Sequence, residues 1–303
     1  MNPITRLLSL LTTRFNAVAK DYSALLPIVE PTTGITKTIN QTYYSHSVPQ
    51  EIAENIENMK RINPQWNYKL YNDDEIEEFI SINYGEEILG YYKRIAPEYG
   101  AAKADLFRYL LIYKQGGVYI DLKSSITRPL DTLLKPNDGF ILSYWDNEEG
   151  ETHEGVGLNF PEFQHIIRGE YMQWFIISSA GHPLLRSVII KILENIDKYN
   201  PYIDGIGWQG TVGTTGPIPY TLTLEKEQKN NIGTFRWVNL IKDFGIQYSI
   251  YEGIDISHHA KVLKKDYRKG IKPVIVHRCK LIHTANVAWL RLMTQRRMKN
   301  QTS

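Results

Sequence analysis

Four charged residues that lie close together in the sequence have the side-chain types and the spacing of a ligand-binding site. Asp105 and Arg108 are three positions apart, and Asp121 and Lys123 are two positions apart. Residues at i and i+3 share a face of a helix, whereas residues at i and i+2 share a face of a strand. Carboxylates accept hydroxyl hydrogen bonds or ligate metal ions, and guanidinium and ammonium groups bind phosphate. The pattern favours a site for a polar, anionic ligand.

The elements that must position these residues are readable from the apolar pattern. Tyr99–Lys114 has helical spacing, with the small Ala101 on the same face as the charged pair, and Gly116 suits the C-terminal cap. Val118–Ile120 is an apolar strand that ends at Asp121. Open α/β sheets bind ligands at this end of their strands.

A purely structural interpretation of the same residues is also open. Asp105 and Arg108 alone would be read as a surface ion pair, and an Asp after a strand is commonly a turn former. The combination of the helix pair, the glycine corner and the strand end favours the functional interpretation of Asp121.

Strand and helix patterns alternate along the rest of the chain, which predicts an α/β domain with a mixed central sheet and flanking helices. The predicted strands are Ile35–Thr42, Trp66–Tyr71, Gly139–Tyr144, Gln173–Ser178, Gln247–Tyr251 and Val274–His277. Further helices are predicted to begin at Pro49, to run from Asn72 to Ile82, and to run from Pro183 to Lys198. The segment Gly205–Gly210 matches G-x-G-x-x-G without a preceding strand, so it is predicted to be a mobile loop that lines a pocket rather than a dinucleotide site.

Composition and charge exclude some partners and indicate a location. The chain has 303 residues, with 35 basic against 33 acidic side chains, so it has no overall excess of positive charge with which to bind nucleic acid. The single Cys279 cannot form an internal disulfide, and no apolar run is long enough for a membrane span. These features predict a cytoplasmic protein.

The central motifs resemble those of the glycosyltransferases with a DXD sugar-binding motif, family 32 in particular, which includes α-mannosyltransferases and capsular polysaccharide enzymes. The resemblance is carried by Ala-Lys-Ala-Asp-Leu-Phe-Arg-Tyr at 102–109, Tyr-Lys-Gln-Gly-Gly-Val-Tyr-Ile-Asp at 113–121 and Arg-Pro-Leu-Asp at 128–131. It implies a GT-A-type domain over residues 35–290. The implied reaction is retaining transfer of a hexose from a UDP- or GDP-hexose to a glycan or glycolipid acceptor.

The resemblance also implies roles for individual residues. Catalysis is expected from Asp121, Lys123 and Arg108. Donor binding is expected from Tyr43, Ala101, Asp105, Arg108, Gly117, Tyr119, Asp121, Thr215 and Gly216. The motif departs from the family at Lys123, where a second Asp would help to hold Mn²⁺ or Mg²⁺.

The departure leaves two hypotheses about the metal. In the first, the Lys123 ammonium group and Arg108 stabilise the diphosphate directly, and metal dependence is weak or absent. In the second, Asp121 and His283 still recruit a divalent ion. At the level of function, the main alternative to an enzyme is a catalytically silent relative that binds nucleotide sugar or glycan as a recognition module.

The two termini lie outside the family-like region. Residues 1–34 are predicted to be an amphipathic helical extension, because apolar positions from Ile4 to Val18 recur at helical spacing beside Arg6 and Arg14. Residues 291–303 are predicted to be a basic tail. Such segments lie on anionic membranes or pack on the domain, so peripheral contact at the cytoplasmic face of a membrane is one expectation.

Overall fold

A mixed β-sheet forms the centre of the molecule. The computed structural model of the chain describes residues 20–251 and 266–301. Its strands are β1 (Thr38–Thr42), β2 (Asn67–Tyr71), β3 (Gly117–Ile120), β4 (Ser125–Ile126), β5 (Phe140–Leu142), β6 (Phe175–Ser178), β7 (Arg236–Trp237) and β8 (Ile246–Gln247). Six of them form a sheet in the order β2-β1-β3-β6-β5-β7, and β4 pairs with β8.

Helices flank this sheet. They are α1 (Gln50–Ile62), α2 (Asp73–Arg94), α3 (Gly100–Gln115), α4 (Pro183–Lys198), α5 (Gly207–Thr214), α6 (Pro217–Lys229) and α7 (Lys280–Gln301). Short 3₁₀ turns lie at Leu130–Thr132, Pro161–Phe163 and Tyr267–Lys269. The predicted α/β architecture, with a mixed central sheet and flanking helices, is confirmed.

Strand direction brings the carboxyl ends of β1 and β3 to one edge of the sheet. β1 is parallel to both β2 and β3, and β3 is antiparallel to β6. The hydroxyl oxygens of Thr42 and Tyr119 are 3.0 Å apart across the β1–β3 pair. Asp121 follows β3 directly at this edge, as the sequence predicts.

The two faces of the sheet carry two separate hydrophobic cores. Tyr119 packs with the helices α2, α3 and α4, whereas Val118 and Ile120 pack on the other face with α1. This alternation along β3 is the one that the apolar pattern predicts. It places Tyr119 on the face of the sheet on which α3 packs.

Helix α2 is longer than predicted. Its start has the predicted position, because Asn72 and Glu75 form a reciprocal capping box. The helix then continues past Ile82 to Arg94, with a break in helical geometry at Gly85, where φ is 77°. Buried residues beyond the break, such as Ile88, stabilise this second part by packing in the core.

The corner between α3 and β3 depends on two glycines in the left-handed region of φ. Gly116 caps α3 with φ of 68°, and Gly117 begins β3 with φ of 102°. A Cβ atom at Gly117 would lie 2.1 Å from the Oγ1 atom of Thr38. Because glycine allows these φ angles and this close approach to Thr38, α3 turns directly into β3.

Several predictions about other elements are wrong in part. Val274–His277 forms only an isolated bridge, between Ile275 and Ile95, and the strand near Gln247–Tyr251 is the short β8. The segment after Gly205, predicted to be a loop, begins helix α5 at Gly207. This glycine-rich segment has no strong helical periodicity, but the Thr211 hydroxyl donates to the Gly207 carbonyl at 2.9 Å.

The predicted terminal boundaries relate to the described chain in different ways. The amphipathic stretch from Ile4 to Val18 lies outside the described residues. Residues 20–34 form turns and coil, and α7 runs across the predicted boundary between residues 290 and 291. In the described part of the chain, no helix is both long enough and apolar enough to cross a bilayer.

Candidate active site

A cavity of about 750 Å³ opens at the carboxyl ends of β1 and β3. Its wall includes eight of the predicted site residues, namely Tyr43, Ala101, Asp105, Arg108, Tyr119, Asp121, Lys123 and Gly216. Three other predicted residues lie elsewhere in the described structure. Thr215 is buried behind the wall, Gly117 packs against Thr38, and His283 lines a second pocket of about 350 Å³.

Arg108 connects the helix to the end of the strand. One nitrogen of its guanidinium group, Nη2, lies 3.2 Å from Asp105 Oδ1 and 3.1 Å from Asp121 Oδ1. The other, Nη1, donates to the carbonyl of Gln173 at 2.6 Å, and the guanidinium lies 4.8 Å from the ring centroid of Tyr119. Burial lowers the pKa of Arg108, but Asp121, Tyr119, Asp105 and Tyr109 together more than offset this effect, so the pKa is raised. Arg108 is therefore a fixed, permanently charged group.

Asp105 is buried rather than part of a surface ion pair. Only 3% of its surface is exposed, so the surface interpretation of the Asp105–Arg108 pair is wrong. Its Oδ2 atom accepts a hydrogen bond from Thr215 at 2.8 Å, and its Oδ1 atom accepts one from Gln173 at 3.2 Å. Burial raises the pKa of Asp105, and Arg108 and Thr215 counter this effect. Asp105 thus fixes the orientation of the Arg108 guanidinium group.

Asp121 is held by its backbone and presents its side chain to the cavity. Its N–H donates to the Trp174 carbonyl at 2.9 Å, and its carbonyl accepts from Gln41 Nε2 at 2.9 Å. The side chain is 27% exposed, in contrast with 4% for Arg108. Asp121 is consequently the carboxylate of this pair that can reach a ligand.

Lys123 lies on the same wall, but it is mostly buried. Its ammonium nitrogen is 3.6 Å from the ring centroid of Tyr248. Burial lowers the pKa of Lys123 to about 8; the charge of Asp121 opposes this effect, and those of Arg108 and Arg268 add to it. An anionic ligand beside Lys123 would favour its charged form.

The donor set around Asp121 does not fit the divalent ion that a DXD motif implies. Within residues 20–251 and 266–301, no group of three or more His, Cys, Asp and Glu side chains could hold a metal ion. Asp121 is instead beside Arg108 and close to Lys123, whose charges repel a cation. His283, predicted as a second ligand, lines the other pocket with Lys272, so the structure does not bring these two residues together.

Many cavity residues were not among the predicted site residues, and four of them have side chains suited to ligand contact. Glu170, Trp208, Tyr248 and Arg268 all line the cavity. Glu170 accepts a hydrogen bond from Trp145 Nε1 at 2.9 Å, and burial raises the pKa of Glu170 to about 7. Of these four residues, only Trp208 lies in a segment that the sequence analysis predicted to line a pocket, namely the glycine-rich Gly205–Gly210.

Comparison with known proteins identifies the family of this region. Residues 49–140 match the family described as glycosyltransferase sugar-binding region containing DXD motif. The region belongs to the DXD-motif glycosyltransferases. It includes α3, β3 and the Asp121-Leu122-Lys123 stretch, so the family match contains the four charged residues with which the sequence analysis began. Their individual roles stay predictions.

Proteins similar to this chain include fungal enzymes of mannose transfer. Inositol phosphoceramide mannosyltransferase 3 of Schizosaccharomyces pombe is 32% identical over 100 residues, which are 33% of this chain and 27% of that protein. Mannosyl phosphorylinositol ceramide synthase CSH1 of Saccharomyces cerevisiae is 32% identical over 166 residues, 52% of this chain and 43% of that protein. The initiation-specific alpha-1,6-mannosyltransferase of Candida albicans is 31% identical over 140 residues, 44% of this chain and 34% of that protein.

The chain spans less than half the length of these three curated relatives. Among solved structures, the PaToxG glycosyltransferase matches with a TM-score of 0.47 and 16% identity, over 76% of this chain and 82% of that one.

Proposed function

We propose that this chain is a glycosyltransferase that moves a hexose from a nucleotide-diphosphate sugar to a glycan or glycolipid acceptor, with retention of configuration. The observation that carries the proposal is the contact of Arg108 with both Asp105 and Asp121 in the wall of a large cavity. This contact lies within the region that belongs to the DXD-motif glycosyltransferases. A buried, permanently charged guanidinium beside an accessible carboxylate suits a ligand with both phosphate and hydroxyl groups.

The donor binds along the wall formed by α3 and the end of β3. Asp121 accepts hydrogen bonds from sugar hydroxyls, and Arg108 binds the diphosphate. The adjacent rings of Tyr43 and Tyr44, with centroids 4.2 Å apart, offer an aromatic surface to the base. Since the curated relatives are named as mannosyltransferases, mannose is the first hexose to test, carried by GDP or UDP.

The departing diphosphate needs positive charge in the transition state. The bond between the sugar C1 atom and the diphosphate oxygen breaks, and this oxygen keeps the electron pair. The acceptor oxygen bonds to C1 on the same face, and its proton passes to the departing diphosphate. Lys123 and Arg108 stabilise the growing negative charge, which lowers the barrier because the charge is larger in the transition state than in the bound donor.

This arrangement leads to weak or absent dependence on metal ions. Lys123 occupies the position of the second Asp of the motif, and its ammonium group supplies the charge that Mn²⁺ or Mg²⁺ supplies elsewhere in the family. Nucleotide release should persist in a strong chelator. Complete loss of activity in chelator, with recovery on addition of Mn²⁺, would refute this part of the proposal.

We also propose that the enzyme works in the cytoplasm, at the surface of a membrane that holds its acceptor. Exposed apolar residues on α7, with Leu281 at 80%, Leu292 at 47% and Met293 at 38% exposure, support this contact, together with the ceramide-containing names of two relatives. Co-sedimentation with anionic liposomes tests it. The full chain should bind, and a Leu292→Glu, Met293→Glu double variant should bind less. Equal binding of both would argue against the contact.

Binding of donors tests the function itself. Thermal unfolding should be measured with UDP-glucose, UDP-galactose, GDP-mannose and GDP-fucose, since a ligand at 100 times its Kd stabilises by about 2.7 kcal/mol. At least one should stabilise the parent protein, and Arg108→Met should abolish the effect. Stabilisation by none of them would refute the proposal. Stabilisation without nucleotide release in any acceptor mixture would favour a silent recognition module.

A further inference from the structure

Trp208 is a large aromatic side chain that remains exposed inside the cavity. It lies on α5, lines the cavity and is 47% exposed. Its ring stacks on Phe160, with centroids 5.6 Å apart and planes inclined by 22°. Phe160 also lines the cavity and so supports the indole ring from one side. Exposed apolar surface of this size in a concave site commonly has a ligand to cover it.

A buried carboxyl group lies on the same part of the wall. The Glu170 N–H donates to the Gly157 carbonyl at 3.1 Å, and Gly157 is three residues before Phe160. A Cβ atom at Gly157 would lie 2.8 Å from the Cβ of Glu170 and 3.1 Å from Cδ1 of Trp145. The segment 157–160 therefore connects the aromatic pair to Glu170 and packs tightly against both Glu170 and Trp145.

We propose that Trp208, Phe160 and Glu170 form the acceptor subsite, and that this subsite binds a pyranose ring; the inference rests on the glycosyltransferase function proposed above. A pyranose has an apolar C–H face and a rim of hydroxyl groups. The apolar face stacks on Trp208, and a hydroxyl donates a hydrogen bond to Glu170.

Other occupants suit this wall less well. An acyl chain has no hydrogen bond to give to a buried carboxyl, so its binding would leave Glu170 desolvated with fewer partners. The donor base has an aromatic surface of its own at Tyr43 and Tyr44, next to the end of β1. The acceptor that the structure favours is thus a saccharide, free or as the head group of a glycolipid.

The test compares substitutions at Trp208 in the full chain. Initial rates are measured at fixed donor with methyl α-mannopyranoside and short manno-oligosaccharides as acceptors. Trp208→Ala should raise KM for the acceptor about tenfold, and Trp208→Phe should recover most of the loss. Donor KM should not change. Ile167→Ala is the matched control, because Ile167 is 98% exposed and is not among the cavity residues.

Direct binding of the same saccharides separates this inference from the function on which it rests. Saturation-transfer NMR on methyl α-mannopyranoside should show binding to the parent protein and at least tenfold weaker binding to Trp208→Ala and Glu170→Gln. This result without any nucleotide release would support the subsite and refute the enzyme. Unchanged acceptor KM and saccharide binding in Trp208→Ala, a change in donor KM instead, or binding only of lipid acceptors without a sugar would overturn the inference.

Discussion

The ammonium nitrogen of Lys123 lies 3.6 Å from the centroid of the Tyr248 ring, on the same cavity wall as Asp121. The backbone supports this contact, because the Ile250 N–H donates to the Lys123 carbonyl at 2.8 Å. The lysine that replaces the second Asp of the motif is thus held against an aromatic face from a distant part of the chain. The proposed mechanism places a bound diphosphate beside this charge.

Donor affinity should fall at alkaline pH because Lys123 loses its proton. Burial lowers the pKa of Lys123 to about 8, so above this pH the free protein increasingly has a neutral amine there. If the charged form binds the diphosphate, Kd rises by up to about tenfold for each pH unit above that value. Calorimetric titration of nucleoside diphosphate between about pH 7 and pH 9 measures this slope. Lys123→Arg keeps its charge and should show a flat profile; equal slopes in both proteins would contradict the assignment.

Removal of the Asp105 carboxylate should destabilise the folded protein. Asp105→Ala leaves the buried Arg108 with one carboxylate and removes the acceptor of the Thr215 and Gln173 hydrogen bonds. Loss of one partner of a buried pair costs about 3–5 kcal/mol. Urea denaturation should show this loss, while Glu57→Ala, which breaks an exposed pair with Lys60, should cost less than about 1 kcal/mol. A similar small loss for both variants would show that Asp105 is not needed for stability.

The glycine corner before β3 should not tolerate a side chain. Alanine at Gly117 would place Cβ 2.1 Å from Thr38 Oγ1, at a φ of 102° that L-residues avoid. Gly117→Ala should therefore reduce the free energy of unfolding by at least about 1–3 kcal/mol. Gly90→Ala is the control, because nothing lies within 4 Å of its added Cβ and the residue is inside α2. That variant should gain about 0.5–1 kcal/mol, and equal thermal stability of both variants would be the contrary result.

Glu170 should make stability depend on pH near neutrality. Burial raises its pKa to about 7 from a usual value of 4.5, so the folded protein holds this proton more tightly than the unfolded chain does. The resulting stabilisation is fully present below about pH 4.5 and is lost as the pH rises through about 7. Urea denaturation between those limits should show a smaller decline for Glu170→Gln than for the parent protein. Parallel curves would mean that Glu170 is not the group responsible.

Much of the cavity wall at α3 and β3 could be predicted from local sequence. The spacing of Asp105 and Arg108, the glycines at 116 and 117 and the short apolar strand before Asp121 are all local features. Helical and strand periodicity therefore places these side chains on defined faces. Asp121 and Lys123 do share the cavity wall, but strand alternation does not explain it, because both follow the end of β3 and Leu122 between them lines the same cavity.

The rest of the cavity lining could not be predicted, because its residues meet only through tertiary packing. Tyr248 is far along the chain from Lys123, and Glu170 reaches the cavity through its contacts with Gly157 and Trp145. A lone acidic residue between apolar ones carries no periodic signal for its burial. Helix α5 was missed for a related reason, since its glycine-rich sequence has low helix propensity and tertiary contacts decide its conformation.

In the proposed mechanism the Lys123 ammonium group does the electrostatic work of a divalent ion, and Lys123→Asp is the decisive variant. Nucleotide release by this variant should be measured from the same donor and acceptor in chelator and in added Mn²⁺. We predict that release in chelator falls by at least about 100-fold, because an essential transition-state charge is lost. Nucleotide release by the variant should recover only when Mn²⁺ is added. Release in chelator at the rate of the parent protein would contradict the claim.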